Sequence, residues 1–510
     1  MTHLNHLATI GNGRSIDRSA VPELSMAEFQ QAIIDAVATG QRVASLFGAA
    51  DPKDETVQLY VVLADDQESR LRLGVTTACD EAFPSLTPRC PQVHLFEREI
   101  AEQFGIRAEG HPWFKPVRYH DSYRPGHDAW GRTATDPPVV GVADFYRVEG
   151  DEVHEVAVGP VHAGIIEPGH FRFQCNGENV FHLEISLGYQ HRGVERAMLG
   201  GPNKRSIHYA ETLAGDTTVG HSTAYCQIVE ELAKCQKTAR AQTLRGIALE
   251  LERLANHVGD LGALAGDVGF LPTASYCGRI RGDFLNMTAL ICGSRFGRGM
   301  IRPGGVGFDV DQKLVDELLH RLAAAKKDCK SAIELLWDSP SVMARFEDTG
   351  LIGKELAEEI GLVGLSARAC GLSRDVRHDH PSGIFRFAQI PVDTWDSGDV
   401  FARAYVRWLE VQRSLAFLAD QLAVLPPGSI RNELKELAPN RLAVSMIEGW
   451  RGELCHVAIT DATGRFQRYK VVDPSFHNWT GLALALRGQQ ISDFPLCNKS
   501  FNLSYCGHDL

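Results

Sequence analysis

Three long segments between residues 222 and 425 repeat apolar residues at intervals of three and four, and this repeat constrains the fold most. It runs through residues 222–264, 311–339 and 399–425. In the first segment it is carried by Ile228, Val229, Leu232, Leu244, Ile247, Leu251, Leu254, Val258 and Leu261. Such spacing places apolar side chains on one face of an α-helix, which must be buried against other elements. The repeat therefore predicts a bundle of long helices.

The segments that flank the predicted bundle are typical of β-strands. Residues 170–189 alternate in polarity around the turn sequence NGEN, which predicts a hairpin. Within residues 441–479, the sequence DATGR is predicted to be the turn between two further strands. We therefore predict an α+β fold in which a large helix-bundle domain with flanking antiparallel β-sheets occupies residues 153–510.

A smaller α/β unit is predicted before the bundle. Residues 26–40 have the pattern of an amphipathic helix, three apolar strands follow between residues 42 and 78, and residues 92–106 return to helical spacing. The segment that follows is rich in Pro, Gly and Asp, and the first residues of the chain are polar and aperiodic. The predicted divisions are a flexible tail (1–24), a small α/β domain (25–118) and a linker (119–152).

Composition excludes several classes of function. The 510 residues have a formal net charge of -12 and no run of basic residues, whereas nucleic-acid binding needs clustered Lys and Arg. No segment approaches the roughly 18 consecutive apolar residues of a membrane-spanning helix, and the first residues lack the apolar core of a signal peptide. We expect a protein that binds no nucleic acid and stays in the cytoplasm, where it is able to dock on a membrane component.

The 12 cysteines contain no C-x-x-C pair, the spacing of zinc ribbons, iron-sulfur sites and thioredoxin-type redox pairs. Most are therefore predicted to be small buried residues. Near the C-terminus, Cys497, Cys506 and His508 raise the question of a metal site, but the two cysteines are too far apart for a zinc knuckle and a structural role is favoured. Phosphate-binding and nucleophile-elbow motifs are absent.

Four segments cluster polar residues that are candidates for a functional site. The candidates are His162, Glu167 and His170 in GPVHAGIIEPGHFRF, Glu195 in YQHRGVER, Asp216 in HYAETLAGDTTVGHSTAY, and Arg368, Asp375 and Arg377 in RACGLSRDVRHDHP. Each cluster also has a structural interpretation. Prolines and glycines shape the first loop, Asp216 or Thr217 caps a helix, and exposed charges are solvated.

Taken together, these segments resemble one protein family. GPVHAGIIEPGHFRF, GENVFHLEISLGYQHRGVER, LELERLANHVGDLG, GLSARACGLSRDVR and DFPLCNKSF are similar, in order and spacing, to the catalytic large subunit of energy-converting nickel-iron hydrogenases. That subunit is itself similar to the quinone-site subunit of complex I. HLFEREIAEQFGI followed by GHP resembles the small peripheral-arm subunit of complex I, which is fused to the large subunit in the formate hydrogenlyase type. The resemblance covers nearly all of residues 25–510.

The sequence departs from this family where the metal is expected. The resemblance implies four cysteine thiolates that hold nickel and iron, and their positions here are Ala214, Thr217, Ser504 and Gly507. Cys506 lies between two of these positions. The histidine and tyrosine that hold the quinone head group in complex I correspond to Ile166 and Gly215. The resemblance therefore implies a hydrogenase-related variant that has lost its nickel-iron site.

Ionisable residues are retained around the expected site. Glu167 falls at the proton-relay glutamate of hydrogenases, and Glu195, Arg368, Asp375 and Arg377 are expected to pass protons or conformational strain. We expect the site itself to be lined by His162, Glu167, Gly215, Asp216, Thr217 and Ser504.

The resemblance implies a peripheral-arm subunit that couples electron transfer to proton or ion translocation and packs against an iron-sulfur subunit and membrane subunits. It also implies a peripheral location on the cytoplasmic side of the inner (cell) membrane. We expect no cofactor on this chain, an iron-sulfur cluster in a neighbouring subunit, and a quinone as the candidate ligand. One alternative is a quinone-reducing NADH dehydrogenase-type subunit in which His162 or Asp216 takes the polar role. A second is a scaffold subunit without a redox step.

Overall fold

The computed structural model describes residues 6–50, 56–78, 81–133, 138–141 and 143–510. The first unit contains a four-stranded sheet of order β1-β5-β4-β3, a parallel pair β6-β7 and two helices. Its elements, with the strand β2 that leaves it, are β1 (Ala8–Ile10), β2 (Arg14–Asp17), α1 (Met26–Ala38), β3 (Arg42–Ala50), β4 (Val57–Asp65), β5 (Arg70–Ala78), β6 (Ala82–Pro84), α2 (His94–Phe104) and β7 (Arg107–Glu109). Ser25 and Glu28 form a capping box that fixes the start of α1. The predicted α/β unit is confirmed.

The prediction of a flexible tail over residues 1–24 is wrong for the described part of that segment. β1 pairs antiparallel with β5, whereas β2 pairs antiparallel with a strand of the large domain, Arg441–Glu448. Both strands are only three or four residues long and half-exposed, so their sequence shows no apolar alternation. Backbone hydrogen bonds to two existing sheets order them, and sequence periodicity does not report such pairing.

Asn12, one of the three residues between these strands, gives a test of this correction. The Asn12 amide donates to the carbonyl oxygens of His380 (2.7 Å) and Met446 (2.9 Å), and its Oδ1 accepts from the Met446 N–H (2.8 Å). We expect Asn12→Ala to lower the free energy of unfolding by about 1–2 kcal/mol, because backbone groups lose their partners. The measurement is a urea unfolding midpoint. Asn176→Ala, at a half-buried site where the side chain makes one long contact with Glu152 (3.4 Å), is the control. Equal midpoints for the two variants would contradict the ordering of this segment.

Between the units, the chain runs without helix or strand over residues 119–133, 138–141 and 143–152. The larger unit then begins with a three-stranded sheet of order β10-β9-β8, followed by helices and a second four-stranded sheet. Its elements are β8 (Val153–Val158), β9 (His170–Asn176), β10 (Asn179–Ser186), α3 (Val194–Ala197), α4 (Ser206–Glu211), α5 (Thr218–Leu232), α6 (Ala239–Asp267), α7 (Leu271–Cys292), β11 (Ile301–Arg302), β12 (Gly305–Val306), α8 (Gln312–Trp337), α9 (Pro340–Phe346), α10 (Lys354–Glu359), α11 (Gly364–Arg368), α12 (Val376–Asp379), α13 (Val400–Ala423), β13 (Arg441–Glu448), β14 (Glu453–Thr460), β15 (Phe466–Val472), α14 (Pro474–Ala485), α15 (Phe494–Phe501) and α16 (Tyr505–Asp509).

The helix α6, 29 residues long, is the centre of the bundle and packs against α7 and α13. The apolar repeat that predicted the bundle supplies its core, and the α+β fold class is confirmed. Helix α7 was not predicted, because its outer face carries exposed Leu271 and Tyr276 and blurs the apolar stripe. Within the described residues, no helix is both long and apolar enough to cross a bilayer.

The second four-stranded sheet, of order β15-β14-β13-β2, positions the residues discussed below. All three of its long strands are almost entirely buried, and α5 packs against β13 and β14. A tight turn at Gly449 and Gly452 joins β13 to β14, with reciprocal backbone hydrogen bonds of 2.8 and 3.1 Å. The sheet thus presents the tip of this hairpin and the end of β15 to the start of α5.

Candidate functional site

Three segments that are distant in sequence meet at one place, which we call the candidate site: the loop 159–169 between β8 and β9, the turn 214–217 before α5, and residues 504–507 at the start of α16. The Cys506 N–H donates to Glu167 Oε2 (3.3 Å), and the Tyr505 hydroxyl lies 3.3 Å from His162 Nε2. Arg192 joins the other two segments by donating to the carbonyl oxygens of Leu213 (2.9 Å) and Cys506 (3.4 Å). The site is built entirely within the larger unit.

The four positions that the resemblance assigns to hydrogenase thiolates carry no cysteine. Ala214 is a buried methyl group, and Thr217 shares its hydroxyl with Asp216 (3.3 Å) and Arg451 (3.3 Å). The Ser504 hydroxyl accepts the N–H of Gly507 (2.9 Å) and caps α16. Hydroxyl groups engaged in this way do not replace soft, anionic thiolates.

The fourth position is closed by a carboxylate. A Cβ atom added at Gly507 would lie 2.6 Å from Cγ and Oδ2 of Asp473. Cys506 is the one thiol between positions 504 and 507, and burial raises its pKa to about 12. Among the described residues, no three His, Cys, Asp or Glu side chains converge in a metal-binding group. The side chains present do not fit a nickel-iron centre.

An ion pair is the strongest electrostatic feature of the candidate site. Arg451, at the tip of the β13–β14 turn, contacts both carboxylate oxygens of Asp216 at 2.7 Å and stacks on Trp450, 3.9 Å from the ring centroid. The Asp216 carbonyl oxygen accepts from Trp450 (2.9 Å) and Asn256 (3.0 Å). Burial opposes ionisation of Asp216, but the Arg451 charge outweighs it and lowers the pKa of Asp216. The turn 214–217 is thereby fixed to the hairpin.

This ion pair predicts a pH-dependent loss of stability in Asp216→Asn. At neutral pH we expect the variant to be less stable by about 1–2 kcal/mol, since it keeps at most one strong contact with Arg451. The pKa of Asp216 is lower in the folded than in the unfolded state, so its contribution is complete above the unfolded value, near 4, and is lost as the pH falls further. Urea unfolding of both proteins between pH 7 and 3 measures the difference. A difference independent of pH would contradict this assignment.

The loop 159–169 brings His162 and Glu167 to the site but turns its apolar residues outward. Ile165 is 99% exposed, and Ile166, at the position of the complex I histidine, is 42% exposed. Gly215, at the position of the complex I tyrosine, is exposed, and an added Cβ there would meet no atom within 4 Å. The chain therefore has neither a histidine at position 166 nor a tyrosine at position 215 to contact a quinone head group.

The remaining predicted residues lie elsewhere. Glu195 is buried between the two units, where it contacts Arg468 (2.9 Å), Lys470 (3.0 Å) and the N–H of Val471 (2.9 Å). Lys470 in turn contacts Glu99 of α2 at 2.7 Å. Burial opposes ionisation of Glu195, but these cations outweigh it and lower its pKa. Glu195 therefore joins the α/β unit to the large domain and does not line the candidate site.

Arg368, Asp375 and Arg377 belong to a buried charge cluster behind the candidate site. Its members are Glu250, Arg253, Arg368, Asp375, Arg377, Glu410 and Glu448. Arg253 donates to the carbonyl oxygens of Glu448 (2.9 Å) and Gly449 (3.2 Å), at the turn that carries Arg451. The cluster thus supports the hairpin from the bundle side.

Sequence reasoning missed Arg451, Asp473 and Glu252. The Glu252 carboxylate accepts the N–H groups of Val219 (2.7 Å) and Gly220 (3.1 Å) at the start of α5, and burial raises its pKa to about 8. Asp473 caps α14 and contacts His221 at 3.1 Å. Sequence signals were present in the glycines around Arg451 and in the DPS cap sequence at 473–475, but neither revealed which distant segment each residue contacts.

Comparisons with known proteins agree with this two-part architecture. Residues 21–129 match the family described as respiratory-chain NADH dehydrogenase, 30 Kd subunit, and residues 267–443 match the family described as respiratory-chain NADH dehydrogenase, 49 Kd subunit. The first match lies in the α/β unit and the segment after it, and the second lies in the helix bundle.

Curated relatives fall into two groups. Formate hydrogenlyase subunit 5 of Escherichia coli is 29% identical over 462 residues, which cover 88% of this chain and 81% of the relative. The membrane-bound hydrogenase subunit alpha of Pyrococcus furiosus is 28% identical over 365 residues, covering 68% and 85%. NADH-quinone oxidoreductase subunit 4 of Thermus thermophilus is 30% identical over 369 residues, covering 67% of this chain and 90% of the relative.

Proposed function

This chain belongs to the family of the 30 kDa and 49 kDa subunits of respiratory-chain NADH dehydrogenase, and from that premise we propose that it couples electron transfer to proton or ion translocation without a nickel-iron centre. It acts as a peripheral-arm subunit of a membrane-bound respiratory complex. Its relatives are named as subunits of hydrogenases and of NADH-quinone oxidoreductases, which supports an oxidoreductase complex.

The observation that carries the metal-free proposal is the contact between Gly507 and Asp473. A side chain at position 507 would collide with the Asp473 carboxylate, which His221 (3.1 Å) and the N–H of Ser475 (2.8 Å) hold in place. The space of a fourth thiolate is occupied by a fixed, negatively charged group. Such a group repels a further anionic ligand and leaves no room for it.

The partners are proposed from the chemistry of the exposed loop. Val161 and Ile165, at 80% and 99% exposure, make an apolar tip beside the candidate site. Such a tip fits a covered surface better than a solvated one. We propose that a membrane subunit covers it on the cytoplasmic side of the membrane, and that an iron-sulfur subunit supplies electrons.

A second observation favours a quinone as the electron acceptor. Asp216 is already engaged by Arg451, but His162 and Tyr505 form a polar pair 3.3 Å apart, in which His162 is half-buried and Tyr505 is buried. The His162 Nδ1–H group donates to the Pro160 carbonyl oxygen (3.2 Å), so His162 Nε2 accepts from the Tyr505 hydroxyl. A quinone carbonyl that took the place of His162 Nε2 would accept this hydrogen bond from Tyr505 instead. Reduction to the quinol consumes two electrons from the cluster and two protons.

Metal and activity measurements on the native complex test the proposal. We expect cluster iron without nickel, and quinone-linked but no hydrogen-linked dye reduction. Nickel near one per chain together with hydrogen activity would overturn the metal-free proposal. An intact complex with neither activity would overturn the proposed electron transfer and favour a scaffold subunit without a redox step.

The quinone assignment has its own variant. Tyr505→Phe is expected to raise the quinone KM about tenfold, which corresponds to one lost hydrogen bond. Tyr276→Phe, on the outer face of α7, is the matched control and should leave the KM unchanged. An unchanged KM in Tyr505→Phe would exclude Tyr505 from quinone binding.

A further inference from the structure

Four buried side chains form one continuous hydrogen-bonded chain that ends at the candidate site. The Tyr469 hydroxyl lies 2.9 Å from His456 Nδ1, His456 Nε2 lies 3.0 Å from His221 Nδ1, and His221 Nε2 lies 3.1 Å from Asp473 Oδ2. Each side chain is exposed by 1% or less. They come from β15, β14, α5 and the residue before α14, so only the folded sheet and helix bring them together.

The chain has a defined donor order. Burial opposes ionisation of Asp473, but the hydrogen bond from His221 and nearby charges outweigh it and lower the pKa of Asp473, which therefore accepts. In the neutral tautomer of His221 that donates to Asp473, the proton is on Nε2, and Nδ1 accepts from His456 Nε2. Burial and the neighbouring His221 lower the pKa of His456, which is neutral and accepts at Nδ1 from Tyr469. Every donor points toward Asp473.

The order can be reversed without breaking the chain. If a proton arrives at the Tyr469 oxygen, the Tyr469 proton moves to His456 Nδ1, the His456 Nε2 proton to His221 Nδ1, and the His221 Nε2 proton to Asp473. One proton has entered at Tyr469 and one has appeared on Asp473. All three hydrogen bonds then exist with donors pointing the other way, so both states keep these three bonds.

The two ends of the chain suggest what it connects. At one end, the Asp473 carboxylate touches Gly507, and the charge of Arg451 acts on it. At the other, the ring of Tyr225 lies 6.2 Å from that of Tyr469, and Ser206, which is hydrogen-bonded to Tyr225, accepts the N–H of Asn203 (3.0 Å) near the surface. This route approaches the site from the sheet side, whereas Glu167 lies on the loop side.

We propose that Tyr469, His456, His221 and Asp473 form a proton relay that supplies the candidate site from the sheet side. The inference rests on the proposed function, because it assigns the protons of that electron-transfer step to a particular path. It adds residues from β14, β15 and α5 to a site otherwise built from loops.

The test compares quinone-linked turnover of the native complex with wild-type chain and with Tyr469→Phe, in H2O and in D2O. We expect Tyr469→Phe to lower the turnover rate tenfold or more and to change its solvent isotope effect. Tyr60→Phe removes another buried tyrosine hydroxyl, in the α/β unit, and controls for structural loss. Wild-type turnover with an unchanged isotope effect in Tyr469→Phe would overturn the relay alone. No turnover in the wild-type complex would overturn the proposed function, and the relay with it.

A second measurement tests the donor order on the full chain without turnover. With 15N-labelled histidine, we expect the NMR signals of His221 and His456 to show protons on Nε2 at neutral pH. His221→Gln and His456→Gln assign the signals. A proton on Nδ1 of His456 in the resting protein would overturn the proposed relay, whatever the complex does.

Discussion

Arg368→Ala is expected to lower the free energy of unfolding by about 3–5 kcal/mol, the typical cost of removing one member of a buried ion pair. The guanidinium is completely buried and donates to Glu410 (2.6 and 2.9 Å), Glu448 (2.8 Å) and the carbonyl oxygen of Arg374 (2.7 Å). Burial opposes ionisation of Glu410, but the Arg368 charge outweighs it and holds the pKa of Glu410 well below its usual value. Without Arg368, two buried carboxylates lose their main cation.

A surface arginine on the same bundle provides the control. Arg413 of α13 contacts Asp393 at 3.1 Å, but its side chain is 47% exposed. Arg413→Ala should cost less than about 1 kcal/mol, because water replaces the lost contact. Denaturant unfolding midpoints measure both variants. If Arg368→Ala were as stable as Arg413→Ala, the charge cluster would not contribute to the stability of the fold.

Gly507→Ala is expected to destabilise the protein by about 1–3 kcal/mol, the usual cost of forcing an extra methyl group into a packed site. The backbone of Gly507 is helical, so its conformation would accept alanine. The three atoms nearest to the added Cβ all belong to the Asp473 carboxylate, at 2.6–2.9 Å, and this group opposes the substitution. Gly215→Ala, with no atom within 4 Å of its added Cβ, should change stability by less than about 0.5 kcal/mol.

Asp473→Ser separates this contact from other causes. Serine retains a cap for α14 but is shorter than aspartate, so the cost of Gly507→Ala should nearly vanish in the Asp473→Ser background. Thermal and urea unfolding of the four proteins measure this coupling. If Gly507→Ala cost the same in both backgrounds, the closure of position 507 by Asp473 would be wrong.

The parts of the fold that could be predicted are those with a strong local period. The apolar repeats predicted α6, α8 and α13, and the alternation around NGEN and DATGR predicted two hairpins, all of which the structure contains. Helix α7 and the strands β1 and β2 lack such a period. α7 is partly apolar on its outer face, β1 is ordered by pairing with residues 71–73, and β2 is ordered by pairing with residues 441–444.

For the candidate site, sequence supplied members but not partners. The resemblance assigned His162, Glu167, Asp216, Thr217 and Ser504 to one site, and the structure brings the three segments that carry them together. That these residues line a functional site stays a prediction. The residues that determine the electrostatics were missed, since Arg451 is 235 positions from Asp216 and Asp473 is 252 positions from His221. Contacts over such separations depend on the packing of α5 against the sheet, which no local pattern encodes.

The short N-terminal strands have a mechanical consequence. β1 pairs with a strand of the α/β unit, and β2 pairs with the sheet that carries His456 and Tyr469. Only Gly11, Asn12 and Gly13 lie between the two strands. Four residue steps reach at most roughly 14 Å, so the units cannot part further without unzipping a strand. A displacement of the α/β unit is therefore transmitted through this short connection to the sheet behind the candidate site.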